Sequence, residues 1–441
     1  LIRDLVTVVA MLLATLCLVW ASVLAWGPGF DVTLAALRIT SNDPFRPLLV
    51  ASLLFTAVLL VGNAVDASGR RVWTALHGAR RRVTSRALAG ALAAVIFALG
   101  WMFCTTAASG ADAYGYVSQA DLWLHGSLKI RQPWVADVPW PGRHWTFSPL
   151  GYRPADAAQG LWTIVPTYSP GLPMIMAAAK FIGGHGALFV VVPLTGALLV
   201  WMTYLIGTRL GSSRAGLIGA WLVASSPTFL YMLPWPMTDV PVSAAWAVAF
   251  YFLLGRTPAS AAAAGLAAAI AILIRPNLFA GAAVFGLWYA IRLWRDGAAG
   301  RPAALRQGGI YALGVLPGVI GVALINRYLY GSPLVSGYGG FSDMLEWKHV
   351  APNLELYLSW IVESETPLAL AGLAAVFLPI RGLWPAADRP VFLVIGLFIS
   401  SLWALYVSYL VFDVWWYLRF LLPTWPFMMV GVGALAAALM R

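Results

Sequence analysis

Charge is what this chain has least of. Only 10% of its 441 residues are Asp, Glu, Lys or Arg, against about 25% in a soluble domain, which excludes an ordinary water-soluble globule. Cysteine is nearly absent, with two residues at positions 17 and 104. Both fall inside apolar runs far apart in sequence, so neither a disulfide framework nor a thiolate metal site is expected. The five histidines (77, 125, 144, 185 and 349) match no metal-ligand spacing. No glycine-rich strand–turn–helix cradle for a nucleotide is found. No period of 20–50 residues repeats, and no soluble domain is evident at either end.

What fills the space is apolar: 61% of residues are hydrophobic. Twelve stretches read as membrane spans, at roughly 5–26, 48–65, 87–107, 186–208, 214–231, 239–255, 259–274, 277–294, 309–329, 367–380, 390–411 and 418–440. Several fall short of the ~20 residues a span needs, so the expected count is about twelve, within 10–13. The first run is expected to be a span, because its apolar core exceeds the 7–15 residues of a signal peptide. The fold class is therefore an all-α polytopic membrane protein.

Lys and Arg set the orientation. With the N-terminus in the cytoplasm, that side carries 17 basic and four acidic residues, including the six Arg between 70 and 86. The other side carries 11 basic and 13 acidic residues. The net +11 is thus an orientation signal facing anionic lipid, and no nucleic-acid partner is implied. Three regions follow: two N-terminal spans and a basic loop (1–86), a main module (87–340), and an outer loop end with C-terminal spans (341–441). The main module contains a large outer segment, 108–185, expected to hold interfacial helices at 113–124 and 171–182. A further amphipathic helix is expected at 353–362.

Candidate chemistry gathers at the outer ends of spans. In Gly110-Ala-Asp-Ala-Tyr-Gly-Tyr-Val-Ser-Gln-Ala-Asp-Leu-Trp123, Asp112 lies just past a span. On a helix Asp112, Tyr116 and Gln119 share a face, beside Tyr114, while Asp121 falls on the opposite side. Asp112 reads equally as an acid/base group or as an N-cap. Asp239, in Trp235-Pro-Met-Thr-Asp-Val-Pro241, opens a span on the same side and carries the same two readings. Arg275, in Ile274-Arg-Pro-Asn277, ends a span where two apolar runs join with almost no loop. It either snorkels to the interface or holds a phosphate, for which its planar fork is suited. Arg153, Arg419 and Lys180 are weaker cations of the same kind. Tyr168 opens the second interfacial helix, and Tyr338 sits in a glycine-rich outward loop.

Read in order, these residues form a pattern. A span and an Asp-containing segment lead to Tyr168-Ser-Pro-Gly-Leu-Pro173, Gly207-Thr-Arg-Leu-Gly211 and Ser226-Pro-Thr-Phe-Leu-Tyr231. The Asp239 turn, Ile274-Arg-Pro-Asn277 and Tyr330-Gly-Ser-Pro-Leu334 follow. Over about residues 87–340 this resembles the GT-C superfamily of polytopic glycosyltransferases, which includes protein O-mannosyltransferases and lipid A aminoarabinose transferases. The resemblance implies transfer of a sugar, with inversion, from a polyprenyl-phosphate carrier to a glycan, lipid or protein acceptor on the outer face of a prokaryotic inner membrane. It assigns the acid/base role to Asp112 and a second acidic position to Asp239. Expected substrate contacts are Tyr114, Tyr116, Gln119, Arg153, Tyr168, Arg275, Tyr338 and Arg419. Many relatives carry adjacent Asp-Glu in the first loop, whereas Ala113 follows Asp112 here. No metal ligand is assigned, and a divalent cation stays open as a cofactor. A lipid transporter or flippase, or a non-catalytic partner of the same fold, are the alternatives.

Overall fold

A computed structural model of the chain describes residues 84–155, 162–340 and 344–440. Of the N-terminal part it describes residues 10, 13, 14, 16–18, 20, 21, 24, 30–34, 37–41 and 45–61. The chain divides into two compact units, 1–84 with 440–441, and 85–439.

In the first unit, the described residues of the expected 5–26 span are helical. An antiparallel hairpin pairs β1 (Phe30–Leu34) with β2 (Leu37–Ser41), Phe30 opposite Ser41. Helix α1 follows at Phe45–Val61. The expected basic loop at 66–86 lies outside the described residues as far as position 83.

The second unit is predominantly helical. Its α-helices of six residues or more are α2 (Ser85–Phe103), α3 (Gly110–Leu124), α4 (Gly171–Gly183), α5 (Val191–Leu210), α6 (Ser213–Ser225) and α7 (Pro227–Met232). Then come α8 (Asp239–Leu253), α9 (Pro258–Ile274), α10 (Ala280–Arg295), α11 (Gly297–Tyr330), α12 (Val350–Trp360), α13 (Pro367–Phe377), α14 (Val391–Val407) and α15 (Trp425–Leu439). Among the described residues four helical stretches are long and apolar enough to cross a bilayer: Ser85–Phe103, His185–Leu210, Gly297–Tyr330 and Trp415–Leu439. A bent pair, Trp347–Glu365 with Pro367–Phe377, turns by 113° at Thr366, whose φ of +74° is unusual for a β-branched residue. Helices α4, α8, α9 and α14 are apolar but shorter, 13–17 residues.

Composition explains how these helices meet. Helix α9 is started by Thr257, whose hydroxyl accepts from the Ser260 amide while Ser260 returns the bond, a capping box. It then packs along α11 through small residues. A Cβ on Gly265 would stand 2.4 Å from the Tyr311 carbonyl, and one on Gly318 2.5 Å from that of Ala269. Small residues four apart allow such backbone approach in membranes. The opposite face of α11 exposes Leu313, Leu316, Val319, Ile320 and Leu324, an apolar stripe matched to lipid. The chain is an integral membrane protein. Its core is aromatic, with Trp246 (α8), Phe285 (α10), Phe398 (α14) and Phe427 (α15) all fully buried. The Trp246–Phe285 and Phe285–Phe398 ring centroids lie 5.4 and 5.0 Å apart.

The expected interfacial helices 113–124 and 171–182 appear as α3 and α4, α3 beginning three residues earlier. Helix α12 covers the expected 353–362 helix from Val350 and runs on as a π-turn, Ile361–Glu365. The all-α expectation needs one correction. Between α3 and α4 a small antiparallel sheet orders β3 (Ile130–Arg131), β5 (Thr163–Pro166) and β4 (Tyr152–Pro154), with β5 central. A second two-residue pair, Val335–Ser336 with Gly339–Gly340, closes the loop after α11.

Candidate active site

Helix α3 brings Asp112 to the site. Its N-cap is Ser109, which makes no side-chain cap bond, and Asp112 lies within the first turn. The Asp112 carboxylate is therefore not spent on capping. Its Oδ1 accepts from the Tyr168 hydroxyl at 2.7 Å and its Oδ2 from Arg419 Nη2 at 3.3 Å. Gly115 makes the tyrosine contact possible, because a Cβ there would stand 2.3 Å from the Tyr168 ring. Tyr116 packs on the same ring, centroids 4.9 Å apart. Asp121, on the far side of the helix, pairs with Lys180 instead.

Two consecutive helices bring the second carboxylate and its partner. Asp239 is the first residue of α8, and Arg275 follows the last residue of α9. An antiparallel pair joined at its far end places those two positions together. Arg275 Nη2 donates to Asp239 Oδ1 at 2.7 Å and to Thr238 Oγ1 at 2.9 Å. Asp239, fully buried, does not cap its helix through its side chain, since the N-cap is Thr238 and no side-chain cap bond forms. Arg419 comes from the turn Trp415–Thr424 that leads into α15. Its Nε stands 4.0 Å from Asp239 Oδ1, so one guanidinium bridges both carboxylates. The Phe420 ring lies under both cations, 5.7 Å from Arg275 and 5.5 Å from Arg419.

Two cations and two anions thus meet at one end of the bundle with their hydrogen bonding incomplete. Arg275 Nη1, Arg419 Nε and Asp239 Oδ2 are buried with no hydrogen-bond partner among the described residues. Unpartnered buried atoms on charged groups cost free energy, so this cluster has hydrogen-bonding capacity left over on both signs of charge. The Asp112 side chain is 37% exposed, whereas Asp239 has no exposure. Only the former is open to the outside. Around it the tyrosine hydroxyls are held protonated. Burial, then the nearby Asp112 charge, raises the Tyr168 and Tyr116 phenols above their ordinary value. The Tyr168 hydroxyl is a hydrogen-bond donor to Asp112.

The remaining expected contacts fall around this centre unevenly. Tyr338 reaches it through its ring, 5.9 Å from that of Tyr168. Arg153 does not join the ion cluster. Its Nη1 donates to the Gly337 carbonyl at 2.9 Å, holding the loop that carries Tyr338. Gln119 is wholly buried with both amide atoms unpartnered. Tyr114 stands apart, exposed and beside Tyr152. Thr238, which accepts from Arg275 and lies 3.5 Å from the Tyr116 hydroxyl, is a further member of the cluster. Its only sequence signal is adjacency to Asp239.

Among the described residues no three His, Cys, Asp or Glu side chains converge as a metal site would need. Asp112 and Asp239 are both engaged by guanidinium groups.

No known family profile and no curated protein sequence matches the chain. Solved structures do. ArnT from Cupriavidus metallidurans bound to undecaprenyl phosphate aligns with a TM-score of 0.52 at 14% identity, over 79% of this chain and 59% of that one. An oligosaccharyltransferase from Archaeoglobus fulgidus aligns with a TM-score of 0.44 at 14% identity, over 79% and 50%. The arabinosyltransferase EmbB from Mycobacterium smegmatis gives 0.42 at 14%, over 91% and 35%. The chain thus spans 59% or less of the length of these proteins. The likeness is one of fold, which the chain shares with ArnT over 79% of its own length.

Proposed function

We propose that the chain is a glycosyltransferase of the GT-C type that moves a sugar from a polyprenyl-phosphate donor to a glycan, lipid or protein acceptor. The observation that carries the reading is the partly exposed Asp112 carboxylate beside two largely buried guanidinium groups with unpartnered nitrogens. Asp112 takes the proton from the acceptor. The freed acceptor atom attacks the anomeric carbon, its bond to the phosphate oxygen breaks, and configuration inverts. The polyprenyl phosphate departs carrying the electron pair, and Arg275 with Arg419 stabilises the charge developing on it. Because a phosphate needs little protonation to leave, one base suffices, unlike the carboxylate pair of most glycosidases. Asp239 holds the two cations in place.

A lipid donor fits the surroundings. Two residues beyond Arg275 opens an apolar cavity of about 150 Å³, lined by Asn277, Phe279, Gly281, Ser401, Leu402 and Leu405, suited to an isoprenoid chain entering from the bilayer. In this reading the chain has about twelve spans in a prokaryotic inner membrane, with the site on the non-cytoplasmic face. Tyr338, exposed beside Tyr168, contacts substrate, whereas Gln119 is wholly buried behind it. No step is routed through a metal, since the arginines supply the positive charge.

The test is transfer in proteoliposomes loaded with radiolabelled polyprenyl-phosphate sugar and a hydroxyl acceptor. Consumption of the donor with release of polyprenyl phosphate is expected. Movement of intact donor across the bilayer without consumption would make the chain a flippase and overturn the reading.

A further inference from the structure

At the end of the helices away from the ion cluster lies a second charged cavity. Helix α9 runs 17 residues from Pro258 to Ile274, about 25 Å at 1.5 Å per residue. Its start is therefore far from Arg275. There a cavity of about 390 Å³ is lined by Arg256, Arg292, Asp296, Gly300, Ala303 and Gln307. Three chain turns build it: the α8–α9 link, the last turn of α10 and the first turns of α11.

Its polar groups are fixed in advance. The Arg292 side chain is 4% exposed, a burial that arginine reaches only when held by partners. Its Nε donates to Asp296 Oδ2 at 3.3 Å and its Nη1 to Gln307 Oε1 at 2.6 Å. Two of its three nitrogens are thus used. Gln307 in turn donates Nε2 to the Arg256 carbonyl at 2.8 Å, so both ends of the amide are committed. Arg256 Nη1 reaches the same Asp296 Oδ2 at 3.2 Å while its side chain stays 62% exposed. One carboxylate therefore faces two guanidinium groups, leaving a net positive charge in a concave site. The α11 N-terminus adds its dipole. One turn before Arg292, Tyr289 is buried with a hydroxyl that has no partner.

We infer that this cavity is a second anion site, separate from the proposed reaction centre, that binds a phosphate group. A forked guanidinium beside a flexible, exposed one suits a phosphate oxygen pair. The shared chemistry fits either the headgroup of an anionic phospholipid, for which basic pockets between membrane helices are suited, or free phosphate.

The experiment uses the full chain in detergent, read by native mass spectrometry with phosphatidylglycerol or phosphatidylcholine, and by thermal unfolding with inorganic phosphate. Selective retention of phosphatidylglycerol identifies a headgroup site, and stabilisation by millimolar inorganic phosphate identifies a free-anion site. In either case Arg256→Gln should weaken binding about tenfold, and Asp296→Asn should tighten it by removing the competing carboxylate. Equal retention of both lipids together with no shift from phosphate overturns the inference. So does binding that neither substitution changes. A purely structural cluster would move thermal stability in these variants and leave no anion selectivity to lose.

Discussion

The Arg419 guanidinium donates to the Asp112 carboxylate at 3.3 Å across 307 residues of sequence, joining helix α3 to the turn before α15. This contact points Asp112 toward the cations that would hold a leaving phosphate. Asp112→Asn keeps the shape and an acceptor oxygen for Tyr168 but removes the base. Transfer should fall by about 10²–10⁴-fold, with the thermal midpoint unchanged within a few degrees. The measurement is single-turnover transfer alongside circular dichroism. Near wild-type turnover in a folded variant would remove Asp112 from the chemistry.

Arg275 and Asp239 form a pair, 2.7 Å apart, in which the carboxylate has no exposure. Removing one partner leaves an uncompensated buried charge, a loss of about 3–5 kcal/mol in comparable pairs. Arg275→Gln alone should therefore destabilise the protein strongly. The double variant Arg275→Gln with Asp239→Asn should regain most of that loss while donor affinity stays low. Thermal unfolding and the donor KM, measured on all four members of the cycle, decide it. Simple additivity of the two stability losses would mean that the groups act independently.

How much of this site the sequence discloses depends on how local each relationship is. Asp112, Tyr116 and Gln119 lie on one helical face by period alone, and Asp121 turns away to Lys180 for the same reason. Asp239 and Arg275 meet because one opens and the other closes two consecutive antiparallel helices, so counting spans brings them to one side. Arg419 is different. Nothing in Trp415-Trp-Tyr-Leu-Arg419 says which of several outer acids it will meet, since that is fixed by how α15 packs among α5, α6 and α13. The sheet between α3 and α4 was equally hidden. Its strands are two to four residues long and include Pro154 and Pro166, too short for alternation to show.

Tyr168 tests whether the phenol is a donor or takes part as a base. Burial and the Asp112 charge raise its ionisation above the ordinary tyrosine value of 10. A raised value means that the protonated form, and whatever it contributes, is fully present below that pH. Tyr168→Phe should thus lower turnover about tenfold, the effect of losing one hydrogen bond to a charged group. The ratio to wild type should stay flat from pH 6 to 9. A ratio that grows with pH would assign the phenolate a direct part.

Glu365 offers a control for structure without chemistry. Its Oε1 accepts from the Ser226 hydroxyl at 2.7 Å and from the Thr228 amide at 3.2 Å, anchoring the π-turn before the 113° bend to the start of α7. Glu365→Ala leaves both donors buried and should cost about 1–3 kcal/mol per unsatisfied group. Glu365→Gln keeps an acceptor oxygen and should cost less. Both variants should bind donor with an unchanged KM, and a raised KM in the glutamine variant would place this turn in the substrate path.

Arg153 is the residue whose expected role changes most. It was a candidate phosphate contact, yet its guanidinium donates to the Gly337 carbonyl and lies over the Tyr330 ring, 5.9 Å from its centroid. It thereby ties strand β4 to the loop whose Tyr338 packs against Tyr168. If that loop covers the sugar, losing the tie raises the entropy of the unbound loop, and binding must then reorder it. Arg153→Ala should raise the donor KM several-fold with kcat changed less than twofold, and amide exchange at 337–340 should speed up. Arg153→Lys, which can still donate one bond, should recover part of both effects. A variant that lowers kcat and leaves both KM and exchange untouched would return Arg153 to direct contact with the reacting phosphate.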